Sequence, residues 1–135
     1  MFNHLKSFTV VVLLVITGCN KAKQSPPVLR DNIAKYTIVA ANGACSDAAA
    51  TGTFQKGKQL TADAKITLTV DVKATGDWGM DSNDLIGISF TGDGTFTKNG
   101  LQTITLQGKG TPAGPGIVTF EIIGGICGVP VTIID

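Results

Sequence analysis

Ala64-Lys-Ile-Thr-Leu-Thr-Val-Asp-Val-Lys-Ala74 decides the fold. Successive side chains of a β-strand point to opposite faces, so Ile66, Leu68, Val70 and Val72 share one face and Thr67, Thr69, Asp71 and Lys73 the other. One face is buried and one is wet, which is the alternation of an antiparallel sheet packed on one side. Upstream, Tyr36, Ile38 and Ala40 alternate as a first strand, and a second centres on Thr53-Phe54. Downstream comes a short segment around Trp78 and Met80. Ile86, Ile88 and Phe90 then alternate into Gly92-Asp93-Gly94, read as a hairpin turn because Asp-Gly adopts positive φ readily. Phe96 leads to a second such turn at Asn99-Gly100, and Ile104 and Leu106 follow. Gly110 to Gly116, with Pro112 and Pro115, is a wider turn. Val118, Phe120 and Ile122 make the next strand, and Val131 with Ile133 close the domain. Short strands and turns at fairly even spacing predict an all-β sandwich or barrel spanning 35–135.

The other end of the chain carries an address. Met1-Phe-Asn-His-Leu-Lys-Ser7 precedes the apolar run Phe8 to Ile16, and Thr17-Gly18 lead into Cys19. Residues 1–18 resemble a bacterial lipoprotein signal peptide. The resemblance implies a diacylglycerol on the Cys19 thiol, cleavage just before it and acylation of the new amine. A membrane-spanning helix needs roughly 20 apolar residues and this run has about half that. An ordinary secretion signal more often ends in an Ala-x-Ala-like site. Residues 19–34 then form the lipidated N-terminus and a flexible, disordered tether, stiffened around Pro26-Pro27 and reaching about 50 Å when stretched. Asn20 lacks the Asp that resembles an inner-membrane retention signal, so the expected place is the outer membrane. Lys21 and Lys23 stand where surface-exported lipoproteins carry acidic residues, which leaves open the face on which the domain is displayed.

With Cys19 assigned to lipid, Cys45 and Cys127 remain as one pair in an oxidising compartment, and a disulfide is expected. The rival is a metal site or reactive thiol, but zinc usually takes four Cys or His ligands, and the single histidine, His4, leaves with the signal. The remaining chain is one small domain. Once Lys6 is removed, ten basic residues face ten acidic ones, scattered along the chain. No basic patch argues for nucleic acid, and a monomeric domain is expected.

A resemblance emerges from the ordered run Gly43-Ala44-Cys45, Thr51-Gly52-Thr53-Phe54, Leu60-Thr61-Ala62 and Gly87-Ile88-Ser89-Phe90-Thr91-Gly92. Gly94-Thr95-Phe96, Gln102-Thr103-Ile104-Thr105-Leu106, Gly110-Thr111-Pro112 and the late Cys127 continue it. Together they resemble a module of Bacteroidota envelope proteins over roughly residues 36–134. The resemblance implies an immunoglobulin-like antiparallel β-sandwich, borne in tandem or singly on a lipid anchor, mostly without assigned activity. The chain departs from antibody domains, whose disulfide joins two central strands around a buried Trp. Gly52-Thr-Phe-Gln-Lys-Gly57 also echoes Gly94-Thr-Phe-Thr-Lys-Asn-Gly100, which two related corners of one sandwich would produce, as would chance in Gly/Thr-rich sequence.

Three candidate sites remain. Asp77, Asp81 and Asp84, with Asn83, supply hard oxygens for calcium, although the order does not match an EF-hand loop and solvated turn carboxylates explain it more simply. Trp78 is either core or edge packing, or an aromatic platform for a sugar ring or apolar partner. For catalysis the inventory is poor. Without histidine no Ser-His or Cys-His pair can be assembled, and the aspartates lack the apolar surroundings that raise a carboxyl pKa for acid duty. The sequence therefore points to a non-enzymatic protein without cofactor. It is either a structural or protein-interaction module in the envelope, or an accessory that binds a glycan or another exported substrate.

Overall fold

A computed structural model describes residues 32–122 and 127–135. Among them all regular structure is strand: β1 (Lys35–Ile38), β2 (Ala40–Ala41), β3 (Ala44–Cys45), β4 (Ala49–Thr51), β5 (Lys65–Ala74), β6 (Gly76–Asp81), β7 (Ile88–Phe96), β8 (Gly100–Gly110), β9 (Gly116–Glu121) and β10 (Gly128–Ile133). The larger sheet runs β1-β5-β8-β7-β6, with β4 beside β5 on the edge that β1 also uses; the smaller runs β2-β3-β10-β9. All strand pairs are antiparallel except β3 with β10. The central stretch behaves as its alternation dictates. Ile66, Leu68, Val70 and Val72 are buried, while Thr67, Thr69, Asp71 and Lys73 face outward.

The connectivity is immunoglobulin-like. Strands β6, β7 and β8 form a meander, and β5 returns to lie beside β8, which is a Greek key. Placing β1 and β4 as A, β5 as B, β8 as E and β7 as D reproduces the A-B-E-D sheet, and β9 and β10 take the F and G places opposite. The strand in the C place, β6, is the departure: it stays with β7 and reaches the second sheet only at its end, where Ser82 bridges Ile122.

One residue, Thr75, links β5 to β6, although β8 and β7 lie between them in the sheet. Three inter-strand steps in a flat sheet are about 14 Å, and one linking residue spans about 7 Å at most, so the sheet must curl. Asn32–Ala34 closes the curl. Ala34 N–H donates to the Asp77 carbonyl at 2.9 Å, and Asp77 N–H to the Asn32 carbonyl at 2.6 Å. Gly76 allows this approach, since a Cβ there would lie 2.4 Å from the Asn32 carbonyl oxygen. The folded body thus reaches back to Asn32, with Ala34 buried, three residues before the boundary expected from sequence. Cys19 and the signal segment lie outside the described residues.

Three local expectations are corrected. Thr53-Phe54 is not a strand; the strand is β4, and Phe54 drops from the following loop into the core. Gly92-Asp93-Gly94 is not a turn but the middle of β7, paired residue for residue with Met80, Gly79 and Trp78. Ile86 is not an inward residue; it forms, with Gly87, the tip of a tight turn closed by the mutual hydrogen bonds of Leu85 and Ile88. The turns expected at Asn99-Gly100 and across Gly110–Gly116 fall between β7 and β8 and between β8 and β9.

Between β1 and β4 the chain leaves the larger sheet to form β2 and β3, opening a gap along the edge of β5. Asp47 fills it: its carboxylate accepts Thr69 N–H at 3.1 Å and also the Thr69 hydroxyl. The register also fixes two poles. Lys35, Ala74, Phe96 and Gly100 meet at the pole where Asn32 docks. The Gln55–Gly57 loop, the Ile86-Gly87 turn, the Gly110–Gly116 turn and Ile134 gather at the other.

Candidate functional site

Trp78, in the middle of β6, is half-buried rather than projecting. Its indole stacks on Phe96 with ring centroids 5.4 Å apart and planes 17° from parallel, and Phe96 in turn takes an edge-to-face contact from Tyr36. The cross-strand partner of Trp78 is Gly94, whose bare backbone lets the indole lie across it; an added Cβ would sit 3.0 Å from Nε1. Tyr36 completes the cluster by donating its hydroxyl to the Gly79 carbonyl at 3.2 Å. Partial burial of the phenol raises its pKa above the usual value.

Beside this cluster, on the outside of the β6–β7 hairpin, lies an open groove of about 390 Å³ lined by Ile33, Asp77, Trp78, Gly79 and Asp93. Gly79 leaves the floor open and Asp93 stands directly opposite it on β7. The Asp77 carboxylate accepts the Thr95 hydroxyl at 2.7 Å. Sequence reading found Trp78 and Asp77 but missed Asp93 and Ile33. Asp93 was hidden by the turn reading of Gly92-Asp93-Gly94, and Ile33 by its place in a polar tether.

The calcium set is not brought together. Asp77 and Asp81 lie on one face of β6 four residues apart, about 13 Å along a strand, and Asp84 lies beyond the strand end. Calcium binds its oxygens at 2.3–2.6 Å, so a shared ion cannot span them. Among the described residues no three His, Cys, Asp or Glu side chains could hold a metal ion together.

Cys45 and Cys127 are joined, with Cα atoms 4.9 Å apart across 82 positions of sequence. The bond ties β3 to the segment leading into β10, where the two strands also pair in parallel. Ser82, the one buried polar side chain among the described residues, is fully engaged: its hydroxyl accepts Phe90 N–H at 2.9 Å and donates to the Asn83 carbonyl at 2.8 Å. Asp63 is held below the usual carboxylate range, first by the Thr61 hydroxyl and then by backbone N–H groups, in an exposed turn. No protein-family model matches the chain, and searches of curated proteins and of solved structures gave no match.

Proposed function

We propose that the chain is a lipid-anchored protein of the bacterial cell envelope, carried by acyl groups on Cys19. Its non-catalytic immunoglobulin-like sandwich serves as a structural or protein-interaction module, of the kind borne by Bacteroidota envelope proteins. The observation that supports this best is the pole-to-pole run of the chain. Asn32, next to the tether, docks at one end, and β10 delivers Ile134 to the other, so a partner at the far pole would be held a full strand length from the membrane. The inward packing of Trp78 on Phe96 supports the same reading, because it commits the one tryptophan of the chain to the fold.

Membrane fractionation and mass spectrometry of the native product test it. The wild type should partition with membranes and carry an acylated Cys19, while Cys19→Ala should appear in the soluble fraction with an unchanged circular dichroism spectrum. An unmodified amino terminus, or membrane retention of Cys19→Ala, overturns the anchor.

A second reading, an accessory that binds a glycan or exported substrate, draws on the groove at Asp77, Trp78 and Asp93. With one indole face taken by Phe96, a sugar ring would have to stack on what remains. Titrating envelope oligosaccharides against tryptophan fluorescence separates the readings: a saturable shift favours the accessory, and a flat response the structural module.

A further inference from the structure

We propose that the domain is built to carry tension between its two poles, with the Cys45–Cys127 bond as a covalent shunt that keeps the intervening chain from being drawn out. The proposal takes the direction of load from the structural reading above, but its mechanics rest on strand geometry alone.

A pull at Asn32 and Asp135 acts along the strands, because β1 starts at one pole and runs inward while β10 runs outward to the other. Ladder hydrogen bonds between antiparallel strands lie perpendicular to the strands. Load parallel to the strand is therefore shared by all of them at once, whereas load across the strand breaks them one at a time. At the amino-terminal side the pull is resisted by the β1–β5 register from Lys35 to Ile38, by the Asn32–Ala34 bridge to Asp77, and by the β2–β3 pair. At the carboxy-terminal side β10 is held along its whole length by β9 and by its parallel contact with β3.

Tension that reaches Cys45 does not have to follow the chain. It crosses to Cys127 and continues directly into β10, bypassing the 82-position loop that contains β4 to β9. These strands include most of the buried core, among them Ile66, Leu68, Phe90, Leu106 and Phe120. Only Asn32–Cys45 and Cys127–Asp135 can be drawn out, about 80 Å of extended chain at roughly 3.5 Å per residue. Without the bond the bypassed loop would add about 280 Å more by the same measure.

Single-molecule pulling on the full chain, with a handle appended at each end, tests both parts. Oxidised protein should lack the long extension step, and the same molecules given dithiothreitol after folding should gain about 280 Å. Using the folded wild type under reduction avoids variants that fail to fold. A long step from the oxidised protein would overturn the shunt. For the geometry, rupture force between the two ends is compared with that for handles at Lys58 and Asp135, both at the far pole, where β10 is peeled from one end. Pole-to-pole rupture should need several-fold more force, and equal forces would overturn load-bearing. Cys19→Ala leaves these readings unchanged, so failure of the anchor and failure of this proposal are told apart.

Discussion

At Ile86 the backbone takes φ 47°, a left-handed conformation that β-branched residues adopt only at a cost of about 1–2 kcal/mol. The tight turn requires it, since both of its central residues need positive φ, and Gly87 supplies the other at 83°. The side chain gains modest burial in return, being 37% exposed. Ile86→Asn should therefore raise stability by about 1 kcal/mol, read as a higher urea midpoint with unchanged slope. Asp47 shows the opposite balance. Asp47→Ala removes both acceptors from Thr69 at the gap in the β5 edge and should cost about 1 kcal/mol, with Asp47→Asn losing less. Tyr36 makes stability depend on alkaline pH. Its pKa is raised by burial, so the folded state favours the neutral phenol. That contribution is fully present below the unfolded value near 10 and is lost as pH rises through the higher folded value. Melting temperature should fall above about pH 10, and less steeply in Tyr36→Phe. None of these three roles is legible in the sequence. An isoleucine before glycine reads as the start of a strand, Asp47 between Ser46 and Ala48 carries no pattern that points to Thr69, and alternation alone does not say that a tyrosine reaches a carbonyl 43 residues away.

Among the elements, β5 was the most legible and β7 the least, for a common reason. Alternation in β5 is carried by large side chains that must be inside, whereas β7 replaces them with glycine at two of its inward positions, Gly92 and Gly94. Glycine loses more backbone entropy in a strand than other residues, so it signals a turn unless a neighbour uses the space. Here the neighbour is Trp78, which covers Gly94 from the paired strand and stacks on Phe96 two residues further along. The groove inherited the same blindness: Asp93 could join Asp77 and Trp78 only once β7 was known to continue through it. Gly94→Ala tests the pairing. The new methyl would meet the indole at 3.0–3.2 Å, tighter than ordinary contact, and must displace it. A loss of about 1–3 kcal/mol is expected, together with a red-shifted tryptophan emission, whereas an exposed turn glycine would tolerate alanine with no spectral change. The β8–β9 connection was legible because Gly114 and Gly116 have no such partner and, with Pro112 and Pro115, act as punctuation.

For the whole molecule, the fold class and the disulfide could be read in advance, but the closure could not. Period-2 patterning states that a face is buried and says nothing about which strand lies opposite, so the placing of Asn32–Ala34 against Asp77 depends on a curl that only the assembled sheet provides. The Cys45–Cys127 bond was legible by arithmetic, once Cys19 was set aside and an even pair remained. Its energetic weight follows from the length of the loop. Closing 82 positions of chain removes about 4–5 kcal/mol of unfolded-state entropy in the chain-entropy model. A domain of this size is stable by about 5–15 kcal/mol in total, so the bond and the core are each a large part of the margin. Reducing the protein should then lower its melting temperature without changing the circular dichroism of the folded state. Leu68→Ala, which empties a fully buried site in β5, should cost about 2–5 kcal/mol by a separate route. The two effects act on different states, the bond on the unfolded chain and Leu68 on the native core, so they should add. Thermal melts of the four combinations decide the matter. Either change alone should leave a cooperative transition, and the reduced Leu68→Ala protein should have the lowest midpoint or none. A double change no worse than reduction alone would mean that the bond acts through the native packing around β5 instead.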